Sequence, residues 1–417
     1  MSSSIALRHA RNLCTTTVAA ATATAAKLSG PLSISQTKSK LRHEYDPDMA
    51  LQIYSSFTSS NNHSSSTSSV RYAQEFTVRR LAKSHRFSDI ESFLESHKTL
   101  PQITEEAFLA SLIRSYGVAG MFENALKTFD EMNSLGTPRS SLSFNALLTA
   151  CVHSKLFDRV PTYFREIPAK YGFSPDKFSF GILIKAYCEM GSPEIAIEKL
   201  SEMEEKGIEV TPVTFTTILH GLYKTGRSAE AEMFWDERVT KKGCVPDVGA
   251  YNVRLMHIHG GEVEGVTRLI DEMSNAGIKP DAISYNYLMT CYCKNGMMDE
   301  AKKVYDELGS KCCNPNTTTF RTLVFHLCVV PAIHCPIKVF KESVKLHKIP
   351  DFNTLKYLAE GLAKNGHMNE VKAMIRTMNK KFPPNLLKAW GKLVEDLDLA
   401  PIDTNKVDSG ESEMAST

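Results

Sequence analysis

Residues of one kind return along this chain every 35 positions. Gly191, Gly226, Gly261, Gly296 and Gly366 stand 35, 35, 35 and 70 residues apart, and Pro331 fills the missing slot. Phe144, Phe180, Phe215, Tyr251, Tyr285 and Phe320 follow at intervals of 36, 35, 36, 34 and 35. Ala125, Ala196, Ala231 and Ala301 keep the same phase, as do Gly136, Gly207 and Gly277. A period of about 20–50 residues marks a chain of stacked supersecondary units, each packed only on its neighbours.

The segment 282–316, AISYNYLMTCYCKNGMMDEAKKVYDELGSKCCNPN, displays the unit most clearly. Ile283, Leu288, Met289 and Tyr292 lie at helical spacing. Gly296 ends that helix, because glycine enters the left-handed cap conformation without penalty. Asp299 can cap a second helix, whose apolar face is Ala301, Val304, Tyr305 and Leu308. Asn314 and Pro315 close the unit. Each repeat is therefore a helix–turn–helix hairpin, and the fold class is all-α. The phase places units at 71–105, 106–140, 141–176, 177–211, 212–247, 248–281, 282–316, 317–351 and 352–385, the first and the last two worn. A single hairpin cannot bury both of its faces, so these units stack into an α-solenoid. Residues 386–400 supply a capping helix, and 401–417 a polar, disordered tail.

Outside the array the composition changes. Residues 1–43 contain no acid, carry Arg8, Arg11, Lys27, Lys38, Lys40 and Arg42, and are otherwise rich in Ser, Thr and Ala. That pattern is an organellar transit peptide, and the early arginines favour the mitochondrial matrix over the chloroplast. Residues 44–70, with SSFTSSNNHSSSTSS, read as a flexible linker. Residues 71–417 hold 43 basic and 44 acidic side chains, so a broad positive field for non-specific polyanion binding is absent. No run of about 18 apolar residues predicts a membrane span.

The motifs of catalysis are missing. Cys291, Cys293, Cys312, Cys313, Cys328 and Cys335 contain no C-x₂-C pair, which argues against a metal site. Cys188, Cys293 and Cys328 share one slot of their repeats and read as small core residues. No deaminase signature and no phosphate-binding loop occur. Glu202, Glu204 and Glu205 read as a solvated helix face, and so do Asp130 and Glu131. The expectation is a protein without catalytic residues, cofactor, metal, membrane or small-molecule substrate.

The stretches VTFTTILHGLYKTGRSAEAE (213–232), SYNYLMTCYCKNGMMDEAKKVYDEL (284–308) and FNALLTACVHSKLFD (144–158) resemble the pentatricopeptide repeat family, and the 35-residue unit resembles its P class. The likeness covers about 315 residues in at least six units. The tetratricopeptide repeat, with period about 34, is the close rival. The 35-residue spacing and the polar residue after the aromatic (Asn145, Thr216, Asn252, Asn286) separate the two.

The resemblance implies a right-handed superhelical α-solenoid of about nine repeats that binds single-stranded RNA, mRNA or rRNA, one base per repeat. In the family the fifth and last residues of a unit address the base. Carried over, the pairs are Asn145 with Asp176, Thr216 with Asp247, Asn252 with Asp281, and Asn286 with Asn316. Gly181 with Thr211 reads nothing, and Arg321 with Asp351 and Lys356 with Asn385 fall outside the code. The implied core is 5′-U-n-G-U-Y-3′.

The second position of the unit, which sandwiches bases in the family, is apolar in Leu142, Phe178, Val213 and Ile283 but is Gly249 and Thr318 elsewhere. Lys224, Lys294 and Lys364, with His259 between the first two, form a stripe suited either to phosphate contact or to the helix C-terminal dipole. So short a message cannot specify one transcript. The resemblance therefore leaves two roles: an RNA-binding protein in mitochondrial RNA metabolism or translation, or a structural ribonucleoprotein component contacting mitochondrial ribosome proteins.

Overall fold

A computed structural model of the protein describes residues 33–60, 67–241, 245–258, 260–327, 334–381 and 388–397. Among them every regular element is a helix. No helix among the described residues is long and apolar enough to cross a membrane. The chain divides into two compact units, residues 1–80 and 81–417.

The first unit contains α1 (Ile34–His43), α2 (Pro47–Ser60) and most of α3 (Thr67–Lys83). Ser33 opens α1 with a reciprocal capping box to Gln36. Here the structure corrects the reading of 44–70 as a flexible linker. Ala50, Ile53, Tyr54 and Phe57 are buried along one face of α2. Their i, i+3, i+4, i+7 spacing is a helical apolar stripe that the flanking serines disguise. Arg80 ties the unit together: its guanidinium donates to the carbonyls of Leu41 (3.4 Å) and Arg42 (3.0 Å) and lies 4.6 Å from the Tyr45 ring centroid. Residues 1–32 of the transit segment, 61–66 of the linker and the tail 401–417 lie outside the described residues.

The second unit is a succession of hairpins. Its helices are α4 (Phe87–His97), α5 (Glu106–Val118), α6 (Phe122–Asp130), α7 (Ser141–His153), α8 (Val160–Tyr171), α9 (Lys177–Glu189) and α10 (Pro193–Glu205). They continue with α11 (Pro212–Lys224), α12 (Ser228–Trp235), α13 (Val248–Ile258), α14 (Val263–Asn275), α15 (Ala282–Lys294) and α16 (Met298–Glu307). The last are α17 (Thr317–Leu327), α18 (His334–Lys345), α19 (Phe352–Lys364), α20 (Met368–Lys381) and α21 (Lys388–Asp396). First helices pack on first helices, in the order α5, α7, α9, α11, α13, α15, α17, α19. Within hairpins, α5 packs on α6, α9 on α10 and α15 on α16. This all-α stack is a helical solenoid.

The periodic residues explain the stacking. Phe144, Phe180, Phe215, Tyr251 and Phe320 are buried where first helices meet their neighbours, and Ala125, Ala196, Ala231 and Ala301 are buried on second helices. Gly191, Gly226, Gly296 and Gly366 take φ of 81, 77, 74 and 78°, the left-handed turn between paired helices. Gly117 and Gly221 serve differently. A Cβ on Gly117 would lie 2.4 Å from the Ala150 Cα, and one on Gly221 2.7 Å from the Cys188 Sγ, so both permit first helices to touch.

Cys188 and Cys293 are core residues, and burial pushes their thiols up to about 12 and about 11. The side chains of Cys328 and Cys335, with Pro331, lie outside the described residues. The 36-residue unit 212–247 continues α12 into a π-helical turn, Asp236–Lys241, a wider winding that takes up extra residues.

Candidate nucleic-acid interface

The site begins with helix caps. Asp176 precedes α9, and its Oδ1 accepts from the backbone N–H groups of Phe178 and Ser179, both at 2.9 Å. Those amides have no partner within the helix, so a carboxylate there is stabilising. Asn145, one hairpin earlier on α7, donates its Nδ2 to the same carboxylate at 3.0 Å. The Ser179 hydroxyl donates to the Asn145 Oδ1 at 2.6 Å. The ring of contacts fixes which way the amide faces: oxygen toward the hydroxyl, nitrogen toward the carboxylate.

The arrangement recurs twice. Asn252 donates to Asp281 at 3.1 Å and accepts from the Ser284 hydroxyl at 2.7 Å. Asn286 donates to the Asn316 Oδ1 at 3.1 Å and accepts from the Thr319 hydroxyl at 2.7 Å. Asp281 and Asn316 cap α15 and α17 as Asp176 caps α9. Three of the four pairs expected from the sequence are thus brought into hydrogen-bond contact.

Thr216 and Asp247 are not. The buried Thr216 hydroxyl has no hydrogen-bond partner among the described residues, and Asp247 accepts from the Ala250 N–H at 2.8 Å. Two residues differ from the bridged units: Thr216 stands where they have Asn, and a hydroxyl is missing from the following unit. The third position of the following unit is Ala250, where the other units have Ser179, Ser284 or Thr319, so no hydroxyl completes the ring. At Gly181 the corresponding hydroxyl, Thr214, turns to Thr211 at 3.0 Å. These hydroxyls are the members that sequence reading missed. Their signal was present: Ser143, Ser179, Thr214, Ser284, Thr319 and Thr354 keep the repeat phase at the third position, where a capping box needs a side chain that reaches back.

Electrostatics follow this geometry. Burial pushes the Asp176 carboxyl up, but hydrogen bonds from the Ser179 N–H, the Asn145 amide and the Ser179 hydroxyl outweigh it and hold the pKa below the usual aspartate value. Asp351 is lowered likewise: burial raises it, and the Thr354 N–H and hydroxyl together with the Arg321 charge outweigh that.

The lysine stripe is not uniform. Lys224 is paired at 2.6 Å with Glu189, the same slot of the preceding repeat. Lys294 and Lys364 end α15 and α19, are exposed, and make no ion pair with any described residue. His259 lies outside the described residues, as does Asn385. Phe178 and Val213 are 62 and 69% exposed although apolar, and Leu142 and Ile283 are exposed as well. Ile283, Asn286, Thr318, Arg321 and Asp351 line one cavity of about 620 Å³, so second, fifth and last positions of neighbouring units face a common space.

A stack of helical hairpins that presents polar, pre-oriented amides and exposed apolar side chains along its first helices is a repeat-built binding protein. A model of the PPR repeat family matches residues 175–224 and 280–329, and a PPR repeat model matches 110–137 and 213–237. Small ribosomal subunit protein mL103 (rPPR7) of Arabidopsis thaliana is 55% identical over 95% of each chain. A mitochondrial pentatricopeptide repeat-containing protein of the same plant is 54% identical over 89% of this chain and 87% of its own. A crystal structure of the pentatricopeptide repeat protein PPR10 with an 18-nt RNA element aligns with 89% of this chain at 19% identity and a TM-score of 0.44, and this chain spans 57% of that one. The chain belongs to the pentatricopeptide repeat family, among its mitochondrial members.

Proposed function

We propose that the protein is a non-catalytic, RNA-holding component of the small subunit of the mitochondrial ribosome. The observation that carries this reading is the 55% identity, over 95% of both chains, to a small ribosomal subunit protein. The site agrees with such a role. Its three Asn bridges are rigid acceptors and donors for bases, whereas Thr216, Gly181 and Arg321 interrupt them. An interrupted reader suits RNA whose position is set by an assembly more than by a code. Asn145 with Asp176, Asn252 with Asp281 and Asn286 with Asn316 meet base edges, Thr216 with Asp247 does so more weakly, and Lys294 and Lys364 meet phosphates. Lys224 shares its charge with Glu189.

The reading is tested by sedimenting a mitochondrial lysate before and after RNase and high salt, with the protein followed across the gradient. Salt-resistant migration with the small subunit is expected. A light, RNase-sensitive particle would instead mean a free transcript binder, the role that a likeness of 54% to a mitochondrial pentatricopeptide repeat-containing protein also accommodates.

A further inference from the structure

Where the amide bridges stop, an aromatic feature begins. Phe325 on α17 and Tyr357 on α19 stack with ring centroids 4.9 Å apart and an interplanar angle of 26°. Buried aromatic pairs are ordinary core packing, but this pair is on the surface: Phe325 is 44% and Tyr357 39% exposed. Both sit on first helices, the layer that carries the Asn bridges. Phe325 also lines the 620 Å³ cavity that holds Asn286.

Arg321 enters the same cavity one turn from Phe325. It occupies the fifth slot of its unit, where three earlier units have Asn145, Asn252 and Asn286. It is exposed and forms no hydrogen bond or ion pair with any described residue. Asp351, across the cavity, is already engaged as the cap of α19 by the Thr354 N–H at 3.1 Å and the Thr354 hydroxyl at 3.0 Å. The cavity thus offers an exposed guanidinium, whose charge acts on Asp351, beside the exposed Phe325, while its one amide, Asn286, is already held by Asn316 and Thr319.

We propose that Phe325, Tyr357 and Arg321 form a sequence-independent anchor for one nucleotide of single-stranded RNA, which extends the aromatic stack with its base and gives its phosphate to Arg321. Rings accept any base, because every base has a π-face, and a guanidinium pairs with phosphate. The unit 317–351 follows 282–316, so the anchored nucleotide is the one 3′ of U-n-G-U-Y. The inference rests on the reading that this face holds RNA.

The test uses the full chain and single-stranded RNA carrying U-n-G-U-Y, with the next 3′ nucleotide intact as each of the four bases, or abasic. For the parent, the abasic RNA should bind on the order of ten- to a hundredfold more weakly, and the four bases should agree within about threefold. Phe325→Leu with Tyr357→Leu keeps the surface apolar but removes the stack. That variant should bind intact RNA as weakly as the parent binds abasic RNA, with no further abasic loss. Arg321→Gln, a second and milder change, should reduce the slope of log affinity against log salt by about 0.7, one phosphate contact on a single strand.

An abasic penalty that survives in the leucine variant would overturn the anchor. So would a difference above about tenfold among the four bases. Asn252→Ser serves as the internal control: if it still shifts preference at its own position, RNA holding stands while the anchor falls. A parent chain that binds none of these RNAs would remove both.

Discussion

At the scale of the residue, the Asn bridges are three-membered, and the hydroxyl is the member that decides. Asn252 is buried, so losing the Ser284 hydroxyl leaves its Oδ1 without a donor. Ser284→Ala should therefore cost about 1–3 kcal/mol in urea unfolding, and Ser284→Thr should recover most of it. Asp176 makes the bridge of Asn145 pH-dependent. A carboxyl held below its ordinary pKa contributes stability that is present above about pH 4 and is lost as pH falls through the folded-state pKa. Asp176→Asn should accordingly be less stable than the parent at neutral pH, and the gap should close in acid. The Asn286–Asn316 bridge has no ionisable member, so Asn316→Ser should alter stability equally across that range. For recognition, Asn252→Ser should move base preference away from U at one position alone; a preference unchanged at every position in a selection experiment would count against the base-reading role.

Glycine separates two demands at the scale of the element. Gly221 allows α11 to approach α9, and Gly226 ends α11 at φ 77° with open space around its Cβ direction. Gly226→Ala carries only backbone strain, about 1–2 kcal/mol. Gly117→Ala faces backbone at 2.4 Å and must separate α5 from α7, so it should exceed Gly221→Ala, whose first obstacle is a side chain that can shift. Thermal melts of the three variants give the order directly. The same contrast explains why the glycine period was legible while the close-contact glycines were not. A turn glycine recurs in phase, whereas Gly117 and Gly221 differ from their neighbours only by what lies across the helix interface.

On the scale of the whole molecule, repeats touch mainly their neighbours, and several of the links are ion pairs one repeat apart. Lys98 meets Glu131 at 2.8 Å, Arg227 meets Glu194 at 2.5 Å, and Arg238 pairs with Glu204. Stability in such an array is close to a sum of unit and interface contributions. Leu219→Ala, in the core of a middle unit, should cost about 2–5 kcal/mol locally. Amide hydrogen exchange should then lose protection in α9 to α14 and keep it in α5 and α19; uniform loss along the chain would mean a single cooperative block.

The sequence alone determined the period, the hairpin and the all-α class, because these depend on residues in phase and on local caps. It also made the identity of three bridging amides legible. What it hid depended on neighbours in space. Serine-rich composition concealed the buried stripe of α2, since burial is decided by what packs against Ile53 and Phe57. Ala250, in the next unit, leaves the Thr216–Asp247 pair without a third member. Phe325 and Tyr357, 32 residues apart and out of phase, become one surface only when α17 and α19 lie side by side. Periodicity records what each repeat repeats; tertiary packing decides which unrepeated side chains are left facing the same space.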